Sequence, residues 1–221
     1  MKQKKVSLKR IAALTLSCVL LLGSLAGCAG KPAEDASSED GPTNTSVNEE
    51  GYIIITMPIT LLGGNPAKDL EKQHNSKIAS MSEEEIARLA WSKLVANEDG
   101  SLDYYFTPEQ LERTKETAYM AGQLIESSTN TYPADYIKDA TYTDIDENGV
   151  PWGLVVLVDG KTYTSFELVN SYYVTLSPAV YIGMYQIFCG IPGDEWAVHV
   201  TVKDADSGEV ISEHDFPTRG E

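Results

Sequence analysis

The chain has 221 residues, which suits one domain of ordinary size together with shorter flanking segments. It carries 33 acidic and 17 basic side chains, a formal net charge of -16. This acidic balance excludes nucleic acid as an expected partner, because phosphate binding needs a basic patch that releases counterions.

The first 27 residues predict a secretory signal peptide. A basic start precedes an apolar run from 11 to 22, which is the order of charge and hydrophobicity that export signals show. The basic residues are Lys2, Lys4, Lys5, Lys9 and Arg10. Removal of these five leaves 12 of the 17 basic side chains against all 33 acidic ones, so the formal charge becomes -21. We expect such a surface to be repelled by anionic lipid head groups.

The signal ends in Leu25-Ala26-Gly27-Cys28, which resembles the lipobox of bacterial lipoproteins. The resemblance implies cleavage before Cys28 and acylation of its thiol. Two acyl chains are enough for stable anchoring, because each buried methylene contributes about 0.8 kcal/mol. We therefore expect a lipid-anchored protein on the extracytoplasmic face of the cell membrane. The alternative is an ordinary signal peptide in which Cys28 is incidental.

Residues 28–50 predict a disordered acidic tether behind the lipidated cysteine. The segment is rich in Gly, Pro, Ser, Thr and acidic residues, and it contains too few apolar side chains to offset the entropy of ordering. A single α+β domain is then expected over 51–221. Cys189 is the one cysteine left in that domain, and its apolar neighbours predict a buried structural thiol rather than a reactive one.

The domain is expected to open with a strand over 52–59, whose apolar side chains fall on both faces as in a central strand. Residues 67–80 are polar and predict either a weak helix or a loop. Capping boxes, in which side chains three positions apart satisfy the first free amides, predict three helices. The pairs are Ser82 with Glu85, Thr107 with Gln110, and Thr164 with Glu167.

The first of these helices is predicted to bury a stripe from Ile86 to Leu94. The second should run over residues 108–127 and the third over residues 165–188. Pro178 lies inside the third helix and should kink or split it, because proline removes a donor and crowds a preceding carbonyl.

Strands are predicted at 101–106 and in two hairpins. The first hairpin joins 140–145 to 153–158 through Asn148-Gly149, a strong turn signal, and its second arm is apolar throughout and therefore central. The second hairpin joins 196–203 to 209–216. Together the elements predict an α+β fold, a mostly antiparallel sheet of about five or six strands with about three helices packed on it.

Five short stretches carry a resemblance to a known family: residues 53–58, 97–101, 132–133, 183–188 and 204–211. With these stretches the domain resembles a family of lipoproteins from Gram-positive bacteria whose function is not established. The resemblance implies an α+β domain behind a lipid anchor, and it brings no catalytic residues with it. Pro178 departs from the uninterrupted helix of that family.

An acidic loop at 144–149 matches the first half of a calcium-binding loop. Asp144, Asp146 and Asn148 place oxygen ligands at alternate positions, but Val155 stands where a bidentate acid is required. Asn148-Gly149 is also a hairpin signal, so a plain turn is the favoured interpretation.

Tyrosine is the other residue type that predicts binding. Twelve tyrosines occur in the chain, and flat amphipathic rings can hold a sugar or a peptide. Tyrosines at the rim of a core are the alternative interpretation. The candidate ligand-binding residues are Tyr104, Tyr105, Tyr172 and Tyr181.

Catalytic signatures are missing from the sequence. HExxH, GxSxG and paired Cys-x-x-Cys do not occur, and no cofactor or metal is expected. The sequence therefore favours a non-catalytic domain that binds a cell-envelope or extracellular protein or glycan. A secreted hydrolase with a carboxylate pair and a calcium-dependent adhesive module are the alternatives.

Overall fold

The computed structural model describes residues 45–62, 66–123, 136–165 and 171–218. The chain divides into two units, Met1–Gly41 and Pro42–Glu221, and every described residue belongs to the second. The predicted signal peptide and Cys28 therefore lie outside the described residues.

Two four-stranded sheets form the scaffold of the described domain. The first contains β1 (Thr45–Val47), β2 (Ile53–Met57), β3 (Lys93–Ala96) and β4 (Leu102–Phe106), in the order β1-β2-β4-β3 and antiparallel throughout. The second contains β5 (Ile137–Ile145), β6 (Pro151–Val158), β7 (Val198–Asp204) and β8 (Val210–Phe216), in that order. Strands β6 and β7 are parallel, and the other pairs in this sheet are antiparallel.

Five α-helices accompany the sheets in the described residues, together with a 3-10 turn at Ile59–Leu61 and a π-helical segment at Tyr172–Leu176. The α-helices are α1 (Ala67–Ile78), α2 (Glu83–Ala87), α3 (Pro108–Gln123), α4 (Gly160–Ser165) and α5 (Ser177–Phe188). The α+β class is confirmed.

The strands form two sheets, where the sequence predicts one of about five or six strands. The reason is α5, which contacts β2 of the first sheet as well as β6 and β7 of the second. Its buried residues include Ile182, Ile187 and Phe188, so apolar side chains cover both sheets from one helix. A helix that is apolar on more than one side is typical of such a central position.

The folded domain begins earlier than predicted. Thr45–Val47 lies inside the segment predicted as a tether, yet it pairs with β2, with Ser46 opposite Ile54. An edge strand of this kind is held by backbone pairing rather than by apolar side chains, so a polar composition gives no sequence signal for it. Strand β2 is buried on one face only, through Ile55 and Met57, although two covered faces are predicted.

The first two predicted capping boxes are confirmed. The Glu85 amide donates to Ser82 Oγ, and the Glu85 carboxylate accepts from the Ser82 amide at 2.8 Å. In the second box, the Thr107 amide donates to Gln110 Oε1 at 2.9 Å, and Thr107 Oγ1 accepts from the Gln110 amide.

The third capping box is wrong at Thr164, because α4 begins at Gly160, five residues before the predicted start of the helix. Asp159 Oδ1 accepts from the Thr162 amide at 2.9 Å and caps the helix. The Thr164 hydroxyl donates to the Gly160 carbonyl inside the helix, and Glu167 lies outside the described residues.

The helix that begins after Ser82 is shorter than predicted. It ends at Ala87, and Leu94 lies in β3 opposite Tyr104 of β4. A helix and a strand would each bury Leu94, so the apolar stripe in the sequence cannot distinguish the two structures. The pairing with β4 selects the strand. Conversely, residues predicted as a weak helix or loop form the 12-residue helix α1.

Pro178 does not split the helix as the sequence allows, because Leu176 and Ser177 before it both keep right-handed helical φ and ψ. The chain passes from the π-helical segment Tyr172–Leu176 into α5, with Pro178 in its first turn. A widened turn accommodates the missing amide donor of proline. Both predicted hairpins are also present, and β6 is a central strand.

Buried polar groups join α5 to the second sheet. The Gln186 amide nitrogen donates to the carbonyls of Pro151 and Ala197 at 2.8 Å, and its oxygen accepts from the Ala197 amide at 3.0 Å. Gln186 is fully buried, and these bonds satisfy both ends of its side chain. Within the described ranges, none of the helices has the length and apolar character needed to cross a membrane.

Candidate functional site

An open cleft of about 540 Å³ lies beside the first sheet. Its walls come from the turn between β1 and β2, from β4, from the start of β3, and from α1 and α2. Residues from five elements therefore meet there, which no single stretch of sequence could indicate.

The turn between β1 and β2 is held by Asn48. Its side-chain oxygen accepts from the amides of Glu50, at 3.1 Å, and Tyr52, at 2.9 Å. Gly51 has a φ of 82°, a left-handed conformation that glycine adopts at little cost. The turn thus fixes the backbone positions of Glu49, Glu50 and Tyr52 at the rim of the cleft.

Two tyrosine rings form the aromatic part of the cleft. Tyr52 and Tyr105 have ring centroids 6.3 Å apart and an interplanar angle of 68°, an edge-to-face arrangement. Tyr105 lies on β4 opposite Ile54 of β2 and Lys93 of β3, on the face of the sheet that points away from the core. Burial, followed by the charges of Asp103 and Glu50, raises the pKa of Tyr105.

A lysine ammonium lies over one of these rings. Lys93 Nζ is 5.1 Å from the centroid of Tyr105, within the range of a cation–π interaction. Lys93 itself is exposed, because it occupies the edge strand β3.

Apolar side chains from two helices complete the cleft. Ile78 ends α1 and Ile86 belongs to α2, and both are half-buried. Ser92 is buried, and its hydroxyl donates to Gln110 Oε1 at 2.8 Å, so it supports the wall rather than offering a free donor. The cleft therefore combines aromatic, apolar and charged groups, the combination by which proteins recognise amphipathic ligands.

Of the four tyrosines predicted to bind a ligand, only Tyr105 lines this cleft. Tyr104 points to the opposite face of β4, where it is 6% exposed and packs edge-on against Trp91. The prediction for Tyr104 is wrong, because neighbouring residues of a strand face opposite sides. Tyr172 and Tyr181 are 56% and 36% exposed and lie on the π-helical segment and α5.

The acidic loop at 144–149 forms a hairpin turn. Asp146 Oδ1 accepts from the amides of Val150, at 2.9 Å, and Asn148, at 2.8 Å, and these bonds lower the Asp146 pKa. Asp144 has a φ of 51° and its carboxylate accepts from the Thr143 hydroxyl. Across the described ranges, no cluster of three or more His, Cys, Asp or Glu side chains could hold a metal ion.

A second polar cluster lies on the open face of the second sheet. His199 Nδ1 is 2.7 Å from an Asp215 carboxylate oxygen, and Nε2 is 3.8 Å from Glu213. The sequence places His199 on the polar side of its strand, but the pairing with β8 is what brings the two carboxylates to it.

Cys189 is half-buried just after α5, and burial raises the pKa of its thiol. A raised pKa lowers the thiolate fraction at neutral pH, which agrees with a structural thiol.

Sequence reasoning missed most of the cleft. Glu49 and Glu50 lie before the expected domain boundary, Tyr52 begins the first expected strand, and Lys93 and Ile86 are expected within one helix. The short edge strand and the register of β3 bring them together, and neither has a local sequence signal.

Comparison of the chain with protein-family models, with curated proteins and with solved structures finds no match to any of them.

Proposed function

We propose that the protein is a lipid-anchored cell-surface protein whose α+β domain binds a cell-envelope or extracellular partner, a protein or a glycan, without catalysing a reaction. The observation that carries this proposal is the cleft beside the first sheet, in which Tyr52, Tyr105 and Lys93 are grouped at the surface.

The residue types of the cleft support binding. Tyrosine provides a large apolar contact area at a low cost in side-chain entropy, and its hydroxyl remains able to form hydrogen bonds. Aromatic residues are enriched among those that contribute most to binding energy. Here the Asn48-closed turn holds Tyr52 against Tyr105 before any partner arrives, which reduces the entropy lost on binding.

The anchoring part of the proposal depends on Cys28 and the lipobox-like residues before it. A Cys28→Ser variant should lose incorporation of labelled fatty acid and should no longer fractionate with membranes. Retention of the label in this variant would contradict acylation at Cys28.

The binding part is tested with isolated cell-envelope material and purified protein. We expect saturable retention, reduced at least tenfold by Tyr105→Ala because the aromatic floor of the cleft is removed. Tyr172→Ala is the matched control, since Tyr172 is more than half exposed and lies outside the cleft. Equal retention of the two variants would refute binding through the cleft.

Non-catalytic binding makes a separate prediction. Bound material that is eluted after long incubation should have an unchanged mass. Release of shortened glycan or peptide fragments would instead support the carboxylate-dependent hydrolase.

A further inference from the structure

The cleft beside the first sheet already contains a cation bound by the protein itself. Lys93 Nζ lies 5.1 Å from the Tyr105 centroid. Tyr52 meets Tyr105 at 68°, so the two rings form a corner rather than a flat platform. Corners of aromatic rings are the arrangement by which proteins recognise alkylammonium groups, because the negative faces of the rings attract a cation.

We propose that the cleft binds an alkylammonium group, which displaces the Lys93 ammonium from the Tyr105 ring. This inference rests on the proposed binding function of the same cleft. The alkylammonium group can belong to a lysine side chain of a peptide or to a free amine.

The charges around the cleft favour a cation over an anion. Glu49 and Glu50 are exposed at its rim, and among the described residues Lys93 is the one basic residue that lines it. The negative charge of Glu50 acts on the Tyr105 ring. Burial is the largest cause of the raised Tyr105 pKa, and the charges of Asp103 and Glu50 are the next two. An anionic ligand would have to approach these carboxylates, whereas a cation neutralises them.

The apolar walls match the stem of an alkylammonium ligand. Ile78 and Ile86 are half-buried and line the cleft together with the rings. The methylene or methyl groups next to a charged nitrogen are apolar, so they can pack against such side chains while the charge faces the aromatic rings.

Lys93 can be displaced because little else holds its ammonium. It is exposed on an edge strand, and it forms no ion pair with any residue that the structure describes. Leaving the ring returns a flexible side chain to water, where its rotamer freedom is restored. Lys93 therefore acts as a weak internal competitor.

The experiment uses the full chain in a polyoxyethylene detergent, with isoleucine methyl groups labelled for NMR. Tetramethylammonium, choline and Nα-acetyl-lysine methyl ester are titrated, and 3,3-dimethylbutanol serves as the uncharged analogue of choline. We expect saturable shifts at the methyl groups of Ile78 and Ile86 with the cations. The exposed Ile59, which does not line the cleft, should not shift.

Two substitutions, Lys93→Met and Glu50→Gln, test whether the cleft prefers a cation, and a third, Tyr105→Ala, removes its aromatic ring. Lys93→Met removes the internal cation and keeps an apolar stem, so it should tighten choline binding about threefold to tenfold. Glu50→Gln should weaken binding, and Tyr105→Ala should abolish it. A loss of binding in Lys93→Met, or equal binding of 3,3-dimethylbutanol, would overturn the inference.

The titration with Nα-acetyl-lysine methyl ester, whose side-chain ammonium is free, distinguishes the two sources of the ligand. Tighter binding of the lysine derivative than of tetramethylammonium indicates a peptide, and the reverse order indicates a free quaternary amine. If envelope material binds in a Tyr105-dependent way while every cation fails, the proposed function stands and the alkylammonium inference is wrong. If envelope material and cations all fail to bind, both are wrong.

Discussion

Gly183 of α5 lies directly against the indole of Trp196. A Cβ placed at Gly183 would be 2.7 Å from Trp196 Cε3 and 3.0 Å from Leu61 Cδ2. Trp196 is buried, and its indole nitrogen donates to Thr60 Oγ1 at 3.2 Å. The absence of a side chain at Gly183 therefore allows α5, the indole and the 3-10 turn to pack together.

Gly183→Ala should destabilise the domain. The added methyl group overlaps an indole that cannot move without losing its hydrogen bond, and overpacking of this kind costs about 1–3 kcal/mol. Urea denaturation measures the loss. Gly193→Ala is the control, because its Cβ would be at an ordinary 3.5 Å from Pro58. Equal stabilities of the two variants would contradict the tight contact.

Asn75 protects the free edge of β3. Its Nδ2 donates to the Leu94 carbonyl at 2.9 Å, and its Oδ1 accepts from the Leu94 amide at 3.4 Å, as a neighbouring strand would. Asn75→Ala should lower the free energy of unfolding by about 1–2 kcal/mol, the sum of two modest hydrogen bonds. It should also speed hydrogen exchange at the Leu94 amide. Gln73→Ala, at an exposed position of α1, should change neither quantity.

His74 should make stability depend on pH. Burial, followed by the charge of Lys77, lowers its pKa below the ordinary value of 6.5, although a hydrogen bond that the ring donates to the Ser92 backbone opposes the shift. The unfolded chain therefore takes up a proton first as the pH falls, so stability is lost from pH 6.5 downward towards the folded-state pKa.

The measurement is the free energy of unfolding between pH 7.5 and 5. We expect the free energy of unfolding to decline less in His74→Gln than in the wild type over this interval. The variant lacks the buried imidazole, whose protonation is less favourable in the folded chain than in the unfolded one. A steeper decline in the variant would show that His74 gains rather than loses favourable interactions on protonation.

Asp204 should contribute stability that disappears in acid. The amide and hydroxyl of Ser207 and the amide of Gly160 donate to its carboxylate and lower its pKa below 3.8. The contribution is present above pH 3.8 and is lost as the pH falls through the folded-state pKa. Asp204→Asn should lower the melting temperature at pH 7 and should lose less stability on acidification than the wild type.

Asp206→Asn is the matched control for Asp204. Asp206 lies in the same turn but contributes its amide, not its carboxylate, to the bond with Asp204. A melting temperature that falls equally in both variants would indicate a general effect of charge in this turn.

Features that depend on neighbouring residues in sequence could be predicted. The capping boxes at Ser82 and Thr107 and the turn at Asn148-Gly149 bond within a few residues, so the residue types alone identify them. The central position of β6 also followed from its continuous apolar character.

The candidate site could be predicted only in part. Tyr105 was expected from its residue type, but Tyr104 beside it was expected equally, and only the face of β4 distinguishes them. Lys93 and Tyr52 carry no signal that would group them with Tyr105. Their meeting depends on the register that places Lys93 opposite Tyr105, and on an edge strand with a polar sequence.

The sequence by itself determined the α+β class, the acidic charge, the helix starts after Ser82 and Thr107 and the hairpins, because these depend on composition and on contacts within a few residues. Tertiary structure alone decided that the strands form two sheets about α5, that residues 93–96 are a strand, and that a cleft forms at the β1–β2 turn. The physical reason is that several pairings bury the same apolar side chains, and only the packing of distant segments selects among them.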